Sequence, residues 1–420
     1  MLEIRQRSEA TYLVRLSLIA LAGLLLREWY TSVENNVRVF TDEFWFITQA
    51  RRLTAGHPWT NLFDYANPSA AHGPVTSLFM APFAWIFPHA TAGLRYVIPL
   101  IGILSVFGVA SALRTVSSER TALIGAGLAA IYPGLWVRDG LVVSEPFAIA
   151  GLVWLLALCL RWRENLTGRR SLALGLLVGV VALSRAELSL LGVLLVAVTF
   201  LTSPSHRRYL RFATVLVAAV GVCLPWTLYN STRFDRPVYL TTNFGVTLAG
   251  ANCEPTYFDS RFVGYDSEAC WNAAMSRTTS TDESIQSQEM AHEALSYATS
   301  HVSRWPVVVA AREAWFLGLR HPGWVVHMSG QSGQRAFATW AQAWSEWILI
   351  PLAILAWFQR RKQASEGERL LRRLAFLAVV FSVGLAAMFV GHWRYRLGMD
   401  VSLLMLVALW LGSETFASRA

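Results

Sequence analysis

Four polar runs, set between long apolar blocks, carry the side chains able to do chemistry. The first is Thr41-Asp42-Glu43, leading into Phe44-Trp45-Phe46. A carboxylate at an apolar surface gains proton affinity, which suits Asp42 to take a proton from a hydroxyl. The same run also reads as a plain helix start, with Thr41 as N-cap and two acids complementing the helix dipole. The second is Ala71-His72-Gly73-Pro74, where Pro74 suits a first helical position and His72 is placed to meet a metal or a phosphate, or only solvent. The third comprises ionisable residues at the ends of apolar blocks: Arg138, Asp139 and Glu145, then Arg185 and Glu187. Charges at that depth are costly and are either paired or functional. The fourth is His392-Trp393-Arg394-Tyr395-Arg396, whose guanidinium forks suit a bidentate grip on phosphate and whose rings suit a headgroup-level anchor.

The elements that position these runs follow from composition. The chain has 420 residues, 54% hydrophobic and only 15% charged, with 18 tryptophans. Its apolar residues come in blocks, which repeated along a chain mean bilayer-spanning helices. The block at 11–26 contains Arg15 and is followed by Arg27-Glu28-Trp29 rather than a small-residue cleavage site, so it reads as an uncleaved anchor. A net charge of +9 raises the question of nucleic acid. The basic residues instead fall in short clusters between apolar blocks, as positive-inside topology requires, and no nucleic-acid partner is expected.

Eleven apolar blocks can be drawn, beginning at 11–29 and 75–87 and ending at 397–413. If all eleven spanned, the Arg161/Arg163/Arg169/Arg170, Arg207/Arg208/Arg211 and Arg360/Arg361/Lys362/Arg369/Arg372/Arg373 clusters would lie outside while Arg5 and Arg7 lay inside. Removing 75–87 repairs every loop. At ~1.5 Å per residue that block reaches about 20 Å, short of a ~30 Å hydrocarbon core, and Pro82 interrupts it. Ten spans are therefore expected, with 75–87 and the helical stretch after Asp42 lying side by side at the outer interface. All four polar runs then face outside. Three regions follow: 1–228 as a membrane module with a catalytic first outer loop at 30–94, 229–341 as an extracytoplasmic loop domain, and 342–420 as the last spans. Cys253 and Cys270 share the long loop and are expected to pair if it faces an oxidising compartment, whereas Cys159 and Cys223 read as packing residues.

Taken in order, these residues resemble the GT-C superfamily of polyprenyl-phosphate-dependent glycosyltransferases. Within it the chain is similar to glycosyltransferase family 39 and the RgtA/B/C/D-like group, relatives of protein O-mannosyltransferases and lipid A aminoarabinose transferases. The carrying features are Asp42-Glu43, Gly56-His57-Pro58-Trp59, His72-Gly73-Pro74, Tyr132-Pro133 with Ser144-Glu145-Pro146, Ser184-Arg185-Ala186-Glu187, Pro225-Trp226 with Asn230, and Arg394-Tyr395-Arg396. Gly73 stands where the family has a proline.

The resemblance implies an all-α, GT-C-like membrane enzyme of a cell envelope, sited in the cytoplasmic membrane with its active site outside. It would transfer a sugar, with inversion, from a polyprenyl-phosphate donor to a hydroxyl acceptor on a glycan, lipid or protein. Asp42 is then the expected base with Glu43 beside it. Arg185, Arg394, Tyr395 and Arg396 are expected around the donor phosphate, and His72, Arg138, Glu145 and Glu187 as support. A divalent ion, held by Glu43, Glu145 or His72, is a further expected possibility. The alternatives are a transporter or flippase of a lipid-linked sugar, which calls for ionisable groups along a path through the bilayer, and a non-catalytic membrane scaffold.

Overall fold

The computed structural model describes residues 2–33, of which 2–8 by backbone alone, together with 42–359 and 364–413. Thr41 as a cap, the Arg5 and Arg7 side chains, and the run Arg360, Arg361 and Lys362 lie outside the described residues. Among the described residues the chain is helical without strands, apart from one isolated bridge pairing Thr60 with Pro68.

Among the described residues six helices are long and apolar enough to cross a membrane: Glu9–Val33, Gly93–Val116, Glu145–Trp162, Arg208–Ser231, Ala336–Gln359 and Glu366–Met388. Glu119–Ile131, Gly168–Ser184, Leu188–Thr202 and Leu397–Leu411 are shorter and pack among them. Leu397–Leu411 is innermost, buried at every position from Leu397 to Leu409 and in contact with Glu119–Ile131, Ala336–Gln359 and Glu366–Met388. A helix apolar on nearly every side, Asp400 and Ser402 apart, belongs in such a position. Starts are set by ordinary caps. The side chains of Ser118 and Thr167 accept from Thr121 N and Arg170 N, and Ser365 with Glu368 forms a capping box.

Val75–Ile86 has 12 residues, about 18 Å of helix. It packs on Asp42–Thr54, buries Met80 and Ala84, and its Ser77 hydroxyl donates to the Phe46 carbonyl at 3.1 Å. The interfacial pair read from charge parity is thus a packed pair of short helices. The 229–341 stretch forms several short helices with a small apolar centre around Tyr257, Ala298 and Val308, and a second around Tyr265, Trp315 and Val325 that Trp393 completes from the later turn. Cys253 and Cys270 are joined there, with Cα atoms 6.3 Å apart. Glu283 ties this region to the first loop, accepting from Ala70 N at 3.0 Å and Asn61 Nδ2 at 3.3 Å.

Candidate active site

Asp42 opens the helix Asp42–Thr54, and Glu43 follows it. Consecutive helical residues point about 100° apart, so the two carboxylates cannot serve one site. Asp42 turns outward and keeps 31% of its side chain exposed. Glu43 turns inward to a buried two-pronged pair with Arg95, at 2.6 and 2.5 Å, and accepts Val142 N at 3.0 Å.

The Trp393–Arg396 turn divides its arginines in the same way. At three residues per turn, Arg394 and Arg396 leave on different sides. Arg396 enters the bundle, fully buried, where it donates to Phe316 O at 3.0 Å beside Glu346. Arg394 swings to Asp42 Oδ2 at 2.5 Å and to Glu145 Oε1 at 2.9 Å. Two anchors hold the turn: Trp393 Nε1 donates to Trp315 O at 2.9 Å, and His392 Nδ1 accepts Arg394 N at 3.1 Å.

Glu145 is the first residue of Glu145–Trp162, with Pro146 next, and it is fully buried. Arg185, the residue ending Gly168–Ser184, reaches Glu145 Oε1 at 3.0 Å and Glu187 Oε1 at 2.5 Å. His72 stands on the far side of Asp42, its Nε2 3.6 Å from Oδ1, with the Trp45 and Phe46 rings each 5.0 Å from its own. Gly73 explains this placement. A Cβ there would lie 2.0 Å from the Leu183 carbonyl, so the loop reaches the end of Gly168–Ser184 only without a side chain. The resemblance's proline does not fit this approach, and glycine is what brings His72 toward Arg185.

Five segments distant in sequence thus place Asp42, His72, Glu145, Arg185 with Glu187, and Arg394 in one cluster. Tyr395 joins it; burial first, then Glu187, push its phenol up to about 12. Arg138 borders the cluster. Glu43 and Arg396 are not brought into it. Two participants were not singled out from sequence: His392, visible only as the first residue of its run, and Asp266 from the long loop, where nothing local marked it. Burial, partly offset by Arg394, raises Asp266 to about 6.

Electrostatics corrects one expectation. Burial alone would raise the Asp42 carboxyl, as the sequence suggested, but Arg394, then His72 and Arg185, outweigh it and hold Asp42 well below the usual carboxylate range. Burial also lowers His72, and Arg394 and Arg185 add to that against Asp42. The carboxylates expected to hold a divalent ion are otherwise engaged: Glu43 pairs with Arg95 away from the cluster, and Glu145 with Arg394 and Arg185. Arg394 bridges Asp42 and Glu145, the carboxylates nearest His72, and the described residues contain no group of three His, Cys, Asp or Glu side chains able to hold one.

No protein-family model matches the sequence, and no curated protein matches it either. Solved structures do. The archaeal oligosaccharyltransferase AglB from Archaeoglobus fulgidus, in complex with an inhibitory peptide and a dolichol-phosphate, is similar with TM-score 0.57 and 16% identity, covering 96% of this chain and 50% of that one. The same organism's oligosaccharyltransferase in complex with Zn and sulfate is similar with TM-score 0.56 and 15% identity, over 96% and 50% of the two chains. ArnT from Cupriavidus metallidurans bound to undecaprenyl phosphate gives TM-score 0.43 at 17% identity, over 94% and 77%. The chain spans about half the length of the oligosaccharyltransferase structures it matches. The fold defines the class: a multi-pass, all-α membrane protein with the GT-C architecture. This is the fold that the resemblance implied.

Proposed function

We propose that the chain is a membrane glycosyltransferase that moves one sugar from a polyprenyl-phosphate donor to a hydroxyl acceptor, with inversion, and that Asp42 is its general base. The observation that carries this reading is the Asp42–Arg394–Glu145–Arg185 cluster, assembled from separated segments of a GT-C fold. Purposeless placement of so many charges at the end of an apolar bundle would be costly.

The geometry supports the following chemistry. The acceptor hydroxyl donates to an Asp42 oxygen while its own oxygen attacks the anomeric carbon from the face opposite the phosphate. The new C–O bond forms as the old one to phosphate breaks, and the hydroxyl proton passes to Asp42. The departing phosphate gains one negative charge as Asp42 loses one, so the local charge is conserved. Arg394 both restrains and prepares the base. Paired with Asp42 it keeps the carboxylate ionised, and as phosphate charge grows it has a stronger partner, which lets Asp42 recover basicity when the proton arrives.

In this reading the six long and four shorter bundle helices make ten spans, both termini are cytoplasmic, and the cluster faces outward from the cytoplasmic membrane. Residues 1–228 and 342–420 form the membrane module and 229–341 the outer domain that bounds the acceptor. The acceptor is a hydroxyl-bearing glycan, lipid or protein of the envelope. Purified protein given a polyprenyl-phosphate sugar labelled in the sugar, with envelope extract as acceptor, tests the proposal. Label should leave the lipid and reappear on acceptor with the opposite anomeric configuration. Label that crosses a vesicle membrane while still attached to lipid would favour a flippase instead.

A further inference from the structure

The face of the bundle opposite the cluster holds a cavity that the chemistry above does not use. Arg27 marks the cluster end of its helix, since its partner Asp139 adjoins Arg138. Arg15 is twelve residues earlier on the same helix, about 18 Å away along the axis. Around it, between Glu9–Val33 and Glu119–Ile131, opens a cavity of about 780 Å³. Tyr12, Arg15, Glu119, Arg120, Leu123 and Ile124 line it.

The charges here do not cancel among themselves. Arg114 donates to Glu9 at 2.8 and 2.5 Å and to Glu119 at 2.7 Å, with its guanidinium 3.9 Å from the centre of the Tyr12 ring. The acid that lines the cavity, Glu119, is therefore already engaged. Arg15 and Arg120 are both exposed and make no hydrogen bond or ion pair among the described residues. Each guanidinium brings a full charge and five N–H donors. Water alone does not surround them. Arg15 lies about 9 Å of helix beyond Glu9, beside the exposed side chains of Leu13, Val14 and Leu18. Only 22% of this helix's apolar stretch is buried in the protein, so the rest faces lipid. Arg15 thus stands where headgroups meet hydrocarbon, a place where an unpaired cation calls for an anion.

Size and lining select the occupant. The cavity falls within the range of about 300–1,000 Å³ found for organic ligands, far more than a bare anion needs. Its guanidiniums match the oxygens of a phosphodiester, and Leu123 and Ile124 give it an apolar wall. A basic pocket between spanning helices that opens toward lipid suits an anionic headgroup. We propose that this cavity binds an anionic phospholipid of the surrounding membrane, its phosphate held by Arg15 and Arg120 and its glycerol against Leu123 and Ile124. On the topology proposed above the lipid belongs to the cytoplasmic leaflet. The site is separated from the charged cluster by the length of the bundle and does not depend on the transferase reading.

Lipid binding to delipidated full-length protein tests this without any sugar. Wild type, Arg15→Gln, Arg120→Gln, their double variant and Arg169→Gln are titrated in detergent with phosphatidylglycerol, phosphatidylcholine and inorganic phosphate. Native mass spectrometry reads the bound lipid, and thermal unfolding reads its effect. Arg169 is an exposed arginine outside the cavity and serves as the control. Wild type should hold phosphatidylglycerol in preference to phosphatidylcholine. Each single variant should lose about tenfold to hundredfold in affinity for it, the range for a charged hydrogen bond, with Arg169→Gln unchanged. Ligand-free melting should not move in either variant, whereas the melting gain on adding phosphatidylglycerol should shrink. A double variant that binds phosphatidylglycerol like wild type overturns the site. So does an equal loss in Arg169→Gln, which would mean diffuse attraction to a basic surface. A ligand-free melting loss of several degrees would make the arginines structural and overturns it too. If inorganic phosphate competes as tightly as the lipid binds, the lipid assignment is overturned.

Discussion

Glu43 lies beside the proposed base in sequence and yet stands apart from it, which makes its replacement informative. Glu43 is 2% exposed and Arg95 0%, with two short hydrogen bonds between them. Converting Glu43 to Gln removes the charge but nearly preserves shape, leaving a guanidinium buried against a neutral amide. Breaking one side of a buried pair costs about 3–5 kcal/mol, whereas exchanging both for apolar residues is close to neutral. Glu43→Leu with Arg95→Met should therefore recover most of the loss. Val142 N–H loses its acceptor in the double variant and keeps a penalty of about 1–3 kcal/mol. The assay is thermal unfolding in detergent, paired with turnover per folded molecule. The expected order of stability is wild type, then the double variant, then Glu43→Gln, with turnover per folded molecule reduced far less than stability. A Glu43→Gln protein that melts like wild type but turns over a hundredfold more slowly would refute this reasoning and place Glu43 in the chemistry.

Other outcomes follow from the same geometry. Arg394→Gln removes the main force holding Asp42 down, so the acid limb of the kcat/KM pH profile should move upward. Asp42 is depressed in wild type, its charged form is present above its pKa and lost as pH falls through it, and an unmoved limb would mean another group sets it. Gly73→Ala drives a Cβ into the Leu183 carbonyl and should cut turnover at least tenfold, with Arg185 and His72 moved apart; normal activity would show that the loop has room. Changing both Cys253 and Cys270 to Ser opens a loop of 17 residues and should destabilise the outer region by about 3 kcal/mol, read as faster proteolysis of 229–341; unchanged cleavage would contradict it.

Much of the architecture was legible because it is written in block length and charge parity. The shortness of 75–87 and its proline announced a helix too short to span, and Val75–Ile86 is indeed a 12-residue helix packed on Asp42–Thr54. Asp42, His72, Glu145, Arg185 and Arg394 could be named because each sits in a polar run that interrupts apolar sequence. Their pairing could not. Arg394 is 352 residues from Asp42 and 249 from Glu145, and no periodicity connects them. That hidden pairing is also why the proton affinity of Asp42 was expected to rise: local sequence shows the apolar neighbours but not the guanidinium that arrives from the other end. Adjacency misled in the opposite sense. Glu43 beside Asp42, and Arg396 beside Arg394, look like members of one site, and the turn of a helix sends each away to a buried partner.

The central claim is that Asp42 takes the acceptor proton during an inverting transfer, and single-turnover measurement on Asp42→Asn with a polyprenyl-phosphate sugar tests it most directly. The amide keeps the shape and cannot accept the proton. The account predicts sugar transfer slowed by about 10²–10⁴-fold, with donor affinity nearly unchanged and wild-type product of inverted configuration. Turnover near the wild-type rate, or a wild-type product that retains the donor's anomeric configuration, would contradict it.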